Sequence, residues 1–585
     1  MPARTLETLI FDEVKILMMS YDYMILGGGS AGCALASRLS ESQDKNVLLV
    51  EAGKDFKPGS EPKDILSSYP MGAAFNPAYH WDNLRVSHAS LGGNSPDRTP
   101  RRFLEQARVL GGGSSINAQM ANRGSPDDYA EWSAMGAEGW DWDGVLPYFR
   151  KLETDLDFNG ELHGKEGPIL IRRVAEEEWT KFSFAVAQAF GNHGFKKIED
   201  QNGAFEDGWF PVSISNHPED RRHSAAMGYL SEAVRARSNL TIFSETRIDK
   251  INFEGQRAVS ANLSKEGEIQ KISAREIILS AGALHTPALL MRSGVGRATH
   301  LREHGIRVVH NLPGVGMNLN EHPTIAVSAY LREEARMYAV GKRHVHIGLR
   351  FSSGVDGCGP NDMYTSVTAK SAWHPVGTRL GSMLMWCNKP YSRGSLELNS
   401  ANATDEPKVN FDMLSDRRDL VRMMDGLRRM AGLFDDQALS KVASDPFPSC
   451  YSERVRKIGA VNKKNKILTT ILATMMDGPQ IIRRAAIHNF ITLGAKMKKL
   501  LSDDQAFEDW IRDGVSGCWH PSGTCRMGKA SDPSAVTDPG GRVHGVDGLR
   551  VCDASIFPCV PRANTNIPTI MCAEKIADDI KSGWT

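Results

Sequence analysis

The residues best equipped for chemistry lie near the carboxyl terminus. Residues 519–528 read Trp519-His520-Pro521-Ser522-Gly523-Thr524-Cys525-Arg526-Met527-Gly528. An imidazole can take an alcohol proton near neutral pH, and Trp519 and Pro521 flank this one with stiff apolar surface. On chemistry alone His520 is the best general-base candidate. Further on, Asp553-Ala554-Ser555 and Asn564-Thr565-Asn566-Ile567-Pro568 precede an apolar, helix-compatible pattern over 570–580. Judged by its neighbours, Asn566 reads as a cap for that helix. Thr524 and Cys525 read as residues that shape and pack their loop, since no base sits beside the thiol. The histidines are scattered, and no Cys/His/Asp cluster has ligand spacing, so no metal is expected.

The elements that must hold a partner for this chemistry begin at the other end of the chain. A short strand, Tyr23-Met24-Ile25-Leu26, runs directly into Gly27-Gly28-Gly29-Ser30-Ala31-Gly32. This is G-x-G-x-x-G at a strand-to-helix junction. Gly27 permits the tight turn, Gly29 lets a pyrophosphate approach the backbone, and Gly32 lets the helix sit close to the strand. The free N–H groups of the first helical turn then bind phosphate. A second apolar strand, 46–50, ends at Glu51, where a carboxylate can accept both hydroxyls of an adenosine ribose. The whole predicts a dinucleotide-binding βαβ unit and does not separate FAD from NAD. A second loop, Ala107-Arg108-Val109-Leu110-Gly111-Gly112-Gly113-Ser114-Ser115-Ile116-Asn117, suggests one extended cofactor clamped at two points.

With these two loops, the blocks Gly282-Ala283-Leu284-His285-Thr286-Pro287 and Asn318-Leu319-Asn320-Glu321-His322, and the terminal region, the chain resembles the glucose–methanol–choline (GMC) family of FAD-dependent oxidoreductases from about residue 20 to 583. The resemblance implies an α/β fold: a Rossmann-like FAD-binding domain from 19–167, 231–322 and 516–585, and a discontinuous α+β substrate domain with an antiparallel sheet from 168–230 and 323–515. It carries the active-site histidine to His520 as general base and the orienting partner to Asn566. It implies cofactor contacts at Gly27, Gly29, Ser30, Ala31, Gly32, Glu51, Ala52, Arg108, Leu110, Gly112, Gly113, Ser114, Asn117, Ile248, Asp553, Ala554, Asn564 and Thr565. Some relatives link a histidine covalently to the flavin. The matching residue here is Ile116, so FAD is expected to be bound non-covalently. Glu321 stands where the family usually has Asp.

The implied reaction oxidises a primary alcohol to an aldehyde by hydride transfer to flavin N5. The leading expectation is a dehydrogenase with a non-oxygen acceptor such as a quinone. The alternative is an oxidase that forms hydrogen peroxide, and a lyase with redox-silent FAD ranks below both. Residues 70–106, with His80, Trp81, His88 and a Gly-Gly-Asn turn at 92–94, read either as a lid or as a plain surface connection. Segment 394–398 alternates like a strand of a sheet roofing the flavin. Trp373, His374, Trp386 and Tyr391 are candidates for a roof pocket.

Over 585 residues, 70 basic and 70 acidic side chains cancel, which argues against a dedicated nucleic-acid binder. Nine cysteines at loose spacing read as reduced thiols, and a cytoplasmic location is expected. Residues 1–18 read equally as a native extension or as an upstream start ahead of Met18 and Met19. Segment 463–501 departs from the neutral average, with eight Lys/Arg and one acid, Asp477. Its pattern predicts two helices broken at Gly478-Pro479. The leading expectation packs them on the substrate domain or a second subunit. The sharper one attaches them peripherally to the inner face of a membrane.

Overall fold

The computed structural model describes residues 21–89, 101–492 and 494–583. The expected extension at 1–18 and the 92–94 turn lie outside them. The fold joins a Rossmann-like N-terminal FAD-binding domain to a discontinuous α+β substrate domain. The first sheet has seven strands. Leu240–Phe243, Val47–Val50, Tyr21–Leu26 and Glu268–Leu279 lie side by side in parallel, and Leu549–Val551 pairs with the end of Glu268–Leu279. Arg257–Lys265 and Arg247–Glu254 extend the sheet antiparallel. Val47–Val50 is buried throughout, as a strand covered on both faces requires.

Register sets what this sheet presents. Leu26 lies opposite Val50 and Leu279, and Val551 opposite Leu279. Gly27, Glu51, Ser280 and Cys552-Asp553 therefore leave the same carboxyl edge, where α/β sheets bind ligands. Helix Ser30–Leu39 follows the first strand and packs against the terminal helix Asn566–Lys581. Arg38 bonds Glu574 at 2.9 Å, and the Tyr229 hydroxyl donates to Glu574 at 2.6 Å. This packing carries the 564–566 turn to the first glycine loop, more than 500 residues away in sequence.

The second seven-stranded sheet is antiparallel. Its order is Ala443–Ser449, Pro323–Leu331, Leu380–Cys387, Met363–Thr368, Val345–Phe351 and Gly208–Pro211, with Ser516–Gly517 also paired to Pro323–Leu331. The register places Pro323 opposite Gly517. His322 and His520 are thereby brought together. The strand Ser395–Glu397 does not join this sheet. It pairs with Lys408–Asn410, which continues through Arg85–Ser87 to Arg102–Phe103 in a separate four-stranded sheet.

The basic segment forms helix Lys463–Asp477, breaks at Gly478-Pro479, and resumes as Gln480–Ala486 before a π turn over Ile487–Ile491. Proline cannot continue the preceding helix but opens the next one well. Ala473, Met476, Ala486 and Ile487 pack on Tyr330, Val376, Leu380 and Phe447. Among the described residues no helix is long and apolar enough to cross a membrane.

Candidate active site

A cavity of about 520 Å³ opens along the carboxyl edge of the parallel strands. Its wall includes Gly27, Gly29, Ser30, Ala31, Glu51 and Ala52 from the first βαβ unit, and Arg108, Gly112, Gly113 and Asn117 from the second loop. Ile248, Asp553, Ala554, Asn564, Thr565, Asn566 and His520 complete the set of sequence-expected residues that border it.

The local geometry fits a dinucleotide. Gly27 has φ +118, and a Cβ there would meet the Ser280 carbonyl oxygen at 2.3 Å. A Cβ on Gly32 would stand 1.9 Å from the Gly27 carbonyl oxygen. The helix starting at Ser30 has no side-chain cap, so its first-turn N–H groups point free at the cavity. Glu51 accepts from Gly28 N at 2.9 Å and Gly53 N at 2.7 Å, which fixes the carboxylate while leaving lone pairs for hydroxyls. Burial raises its pKa against those two bonds. Asp553 accepts from Gly282 N and Thr286 Oγ1, at 2.8 and 2.6 Å, and burial raises its pKa too.

Three expected contacts stand behind the wall. Gly32 faces the Gly27 carbonyl. The Leu110 side chain covers Gly28. Ser114 Oγ donates to Gly111 O at 2.6 Å and accepts from Ala225 N at 3.0 Å, so it ties its own loop down. These residues shape the cradle rather than line it. The aromatic roof candidates do not border the cavity either. Trp386 stacks on Tyr364 at 4.3 Å, Tyr391 lies under the Arg418 guanidinium at 3.7 Å, and Trp373 donates to Gly459 O at 2.6 Å.

The main correction concerns the partner of His520. Asn564 Nδ2 lies 2.9 Å from His520 Nε2. Asn566 instead accepts from Ser30 Oγ at 2.7 Å through Oδ1. The helix begins at Asn566, with Thr565 as its cap at φ −73 and ψ −13. This turn directs Asn566 to the first glycine loop and leaves Asn564 toward the imidazole. Asn566 is thus neither the side-chain cap read from its neighbours nor the partner implied by resemblance.

On its other side His520 Nδ1 lies 2.8 Å from His322 Nδ1. With the Asn564 amide donating to Nε2, the His520 proton sits on Nδ1 and is donated to His322. Burial, with a smaller contribution from His322, holds the His520 pKa well below its ordinary value. His322 is likewise lowered by burial, to about 3. Both rings are neutral at neutral pH, and His520 Nε2 is a lone pair at the cavity wall.

Glu321 lies beneath the pair. Its oxygens accept from the backbone N–H groups of His322 and His520 at 2.7 Å each and of Cys518 at 3.2 Å. Burial raises its pKa to about 8 despite those bonds. Glu321, His322 and His520 place ligand-type atoms within 4.8 Å of one another. Their existing bonds organise them as a hydrogen-bond network. Trp519 precedes the imidazole at φ +60, uncommon for a bulky residue. Its Nε1 donates to buried Glu105 at 3.2 Å, and Tyr451 donates to the same carboxylate at 2.7 Å.

Sequence reasoning gave no role to several wall residues. His285 packs on Trp81 at 4.4 Å and bonds Glu406 at 2.9 Å, while Arg108 sits 5.2 Å over the Trp81 ring. Met71, Phe75, Gln119 and Met120 also border the cavity. His285 lies in the 282–287 block, which gave it no role of its own, and no motif marked Met71, Phe75, Gln119 and Met120, which converge from separate segments.

Residues 21–324 and 390–573 match the two family profiles described as GMC oxidoreductase. The chain is 42% identical over 567 residues to the 5-(hydroxymethyl)furfural oxidase of Methylovorus sp. strain MP688, spanning 96% of this chain and 98% of that one. Pyridoxine 4-oxidase from Mesorbium loti superposes with a TM-score of 0.78 at 26% identity, over 96% of this chain and 99% of that one. An arginine variant of Aspergillus oryzae formate oxidase gives a TM-score of 0.80 at 23% identity, over 96% and 98%. That structure and a second variant concern FAD modification. They correct the expectation of non-covalent FAD. In that formate oxidase an arginine mutation bears on FAD modification, so the absence of a histidine at Ile116 does not decide attachment here, and the non-covalent assignment is withdrawn.

Proposed function

The chain belongs to the GMC oxidoreductase family, whose FAD-dependent members act on CH–OH groups, and from that premise we propose that it is an oxidase of primary aryl or furfuryl alcohols with oxygen as terminal acceptor. The balanced reaction takes one alcohol and one O₂ to one aldehyde and one H₂O₂. The observation that carries the reading is the His520 Nε2–Asn564 Nδ2 pair, 2.9 Å apart on the cavity wall. A hydroxyl entering between them meets a lone pair and an N–H donor. His520 takes its proton at Nε2. The Asn564 amide and the resulting imidazolium stabilise the negative oxygen. His322 holds the Nδ1 proton in place, and the three N–H bonds to Glu321 fix the loop beneath.

FAD, when bound, supplies the two-electron acceptor. The free N–H groups at Ser30 and Ala31 would hold its pyrophosphate, and Glu51 its ribose. The second glycine loop and Asp553 would flank the remainder.

Oxygen displaces the quinone of the leading expectation because the furfural oxidase relative matches almost end to end. With oxygen as acceptor, catalysis needs neither a quinone nor a bilayer. An uncharged planar substrate is favoured over a cationic one. The buried carboxylate nearest Trp519 is Glu105, and both its oxygens are engaged. Phe75 and Trp519 supply flat apolar wall.

The test mixes FAD-loaded enzyme anaerobically with furfuryl alcohol, benzyl alcohol and choline in a stopped-flow instrument, then admits oxygen. Flavin bleaching by the first two and fast reoxidation with stoichiometric peroxide are expected. Bleaching by choline alone would overturn the substrate class, and slow reoxidation would overturn the oxidase assignment.

A further inference from the structure

Helix Lys463–Asp477 is turned inside out. Its buried face is Asn465, Thr469, Ala473 and Met476, mostly small or polar. Its apolar residues face water: Ile467 is 62% exposed, Leu468 52%, Ile471 58% and Met475 36%. The spacing 464, 467/468, 471 and 475 puts Lys464 and these four on one helical face. Ile481, Ile482 and Phe490 extend the exposed apolar surface into the following turns. Single exposed apolar residues are ordinary, but seven on one 24-residue stretch mark a docking surface.

The unpaired charge along the segment is basic. Lys463, Lys464, Lys466, Lys496, Lys498 and Lys499 are exposed and form no ion pair among the described residues. The nearby acids are engaged. Asp477 bonds Arg336 and Arg379, and Asp445 bonds Arg483 and Arg484.

We propose that this surface seats the protein on an anionic lipid bilayer. The helix would lie in the plane of the interface, with Ile467, Leu468, Ile471 and Met475 in the acyl boundary and the lysines among the headgroups. The lysine stems reach apolar surface while their ammonium groups stay in water, which suits that depth. A second copy is the weaker occupant, because a twofold contact through this face would bring the lysine-rich surface of one copy toward that of the other. The contact is peripheral, since no described helix is long enough to span. It stands independently of the oxidase reading.

The experiment sediments full-length, FAD-loaded protein with phosphatidylcholine vesicles and with vesicles carrying one part phosphatidylglycerol to two of phosphatidylcholine. Sedimentation with the anionic vesicles only, reversed by high salt, is expected. Two triple variants, Ile467→Ser/Ile471→Ser/Ile481→Ser and Lys463→Gln/Lys464→Gln/Lys466→Gln, should each lower partition by about tenfold or more. Flavin absorbance and alcohol oxidation in solution should be unchanged in both, which reports an intact fold. Equal partition of parent and variants, or none with either vesicle, overturns the proposal. So does light scattering in which the apolar variant only converts a dimer to a monomer.

Discussion

Two buried histidines show how the same residue types become different machines. His520 and His163 each lie near glutamate, and each belongs to a compact set of ligand-type side chains. Around His163 the carboxylates touch the ring. Nδ1 lies 3.2 Å from Glu153 and 3.1 Å from Asp155, and Nε2 lies 2.8 Å from Asp200. Arg123 pairs with Glu153, and Arg173 with Asp155 and Asp200. Burial alone would lower the His163 pKa, but the three carboxylate bonds outweigh it and raise the value to about 10. His163 is a cation at neutral pH and ties three acids together. Around His520 the carboxylate touches only backbone. Glu321 accepts N–H groups, and the ring meets a neutral imidazole and an amide. Nothing offsets burial, so His520 stays an uncharged imidazole. The partner of the ring decides the role.

The largest effect expected from this contrast is on chemistry. His520→Ala should slow anaerobic flavin reduction by about 10²–10⁴-fold while the flavin spectrum persists. His163→Leu should leave that rate within about twofold, because no proton moves there. Full activity in His520→Ala would erase the distinction. Next, Asn564→Ala should cost about 10²–10³-fold in the same rate, as loss of a donor to developing charge does. Asn566→Ala should cost much less, with its main effect on flavin retention through the lost Ser30 bond. A larger rate loss in Asn566→Ala would restore the partner implied by resemblance.

His163→Leu should instead lower unfolding free energy by about 3–5 kcal/mol in urea titrations, since it strands buried carboxylates. A loss no larger than for a surface substitution would mean the ionic tie is not structural.

The smallest effect is the pH dependence. His520 and His322 have folded-state pKa values below 6.5, so the unfolded chain binds protons that the folded one does not as pH falls below 6.5. Their contribution is full above 6.5 and lost toward acid. His163 runs the other way. Its contribution is full below 6.5 and lost as pH rises through about 10. Denaturation midpoints should therefore fall on both sides, and His163→Leu should flatten only the alkaline fall. Flavin reduction should show no acid limb near pH 6.5, and one there would mean that His520 titrates as an ordinary imidazole.

Local constraints were legible in the sequence. The glycine spacing announced a strand, a tight turn and a close-packed helix, because a missing Cβ has the same consequence wherever it occurs. His520 was visible as chemistry, and the break at Gly478-Pro479 followed from proline itself. Periodicity also announced the helix over 463–477. It did not say which face would be covered, because that depends on what the tertiary fold offers. Here the antiparallel sheet offers Tyr330 and Leu380, and the short helix Pro375–Thr378 offers Val376, to the covered face.

The sequence by itself thus determined the strand–turn–helix of the first glycine loop and the family, and it put His520 forward as the base, because motif order and short-range spacing are read directly from the chain. The tertiary structure alone decided the rest. The turn ahead of the terminal helix set Asn564, and not Asn566 two residues on, beside the imidazole. The pairing of Pro323 with Gly517 joined His322 to His520 across 198 residues. Long-range register and packing made those choices, and no local pattern encodes which distant group will fill the space beside a side chain.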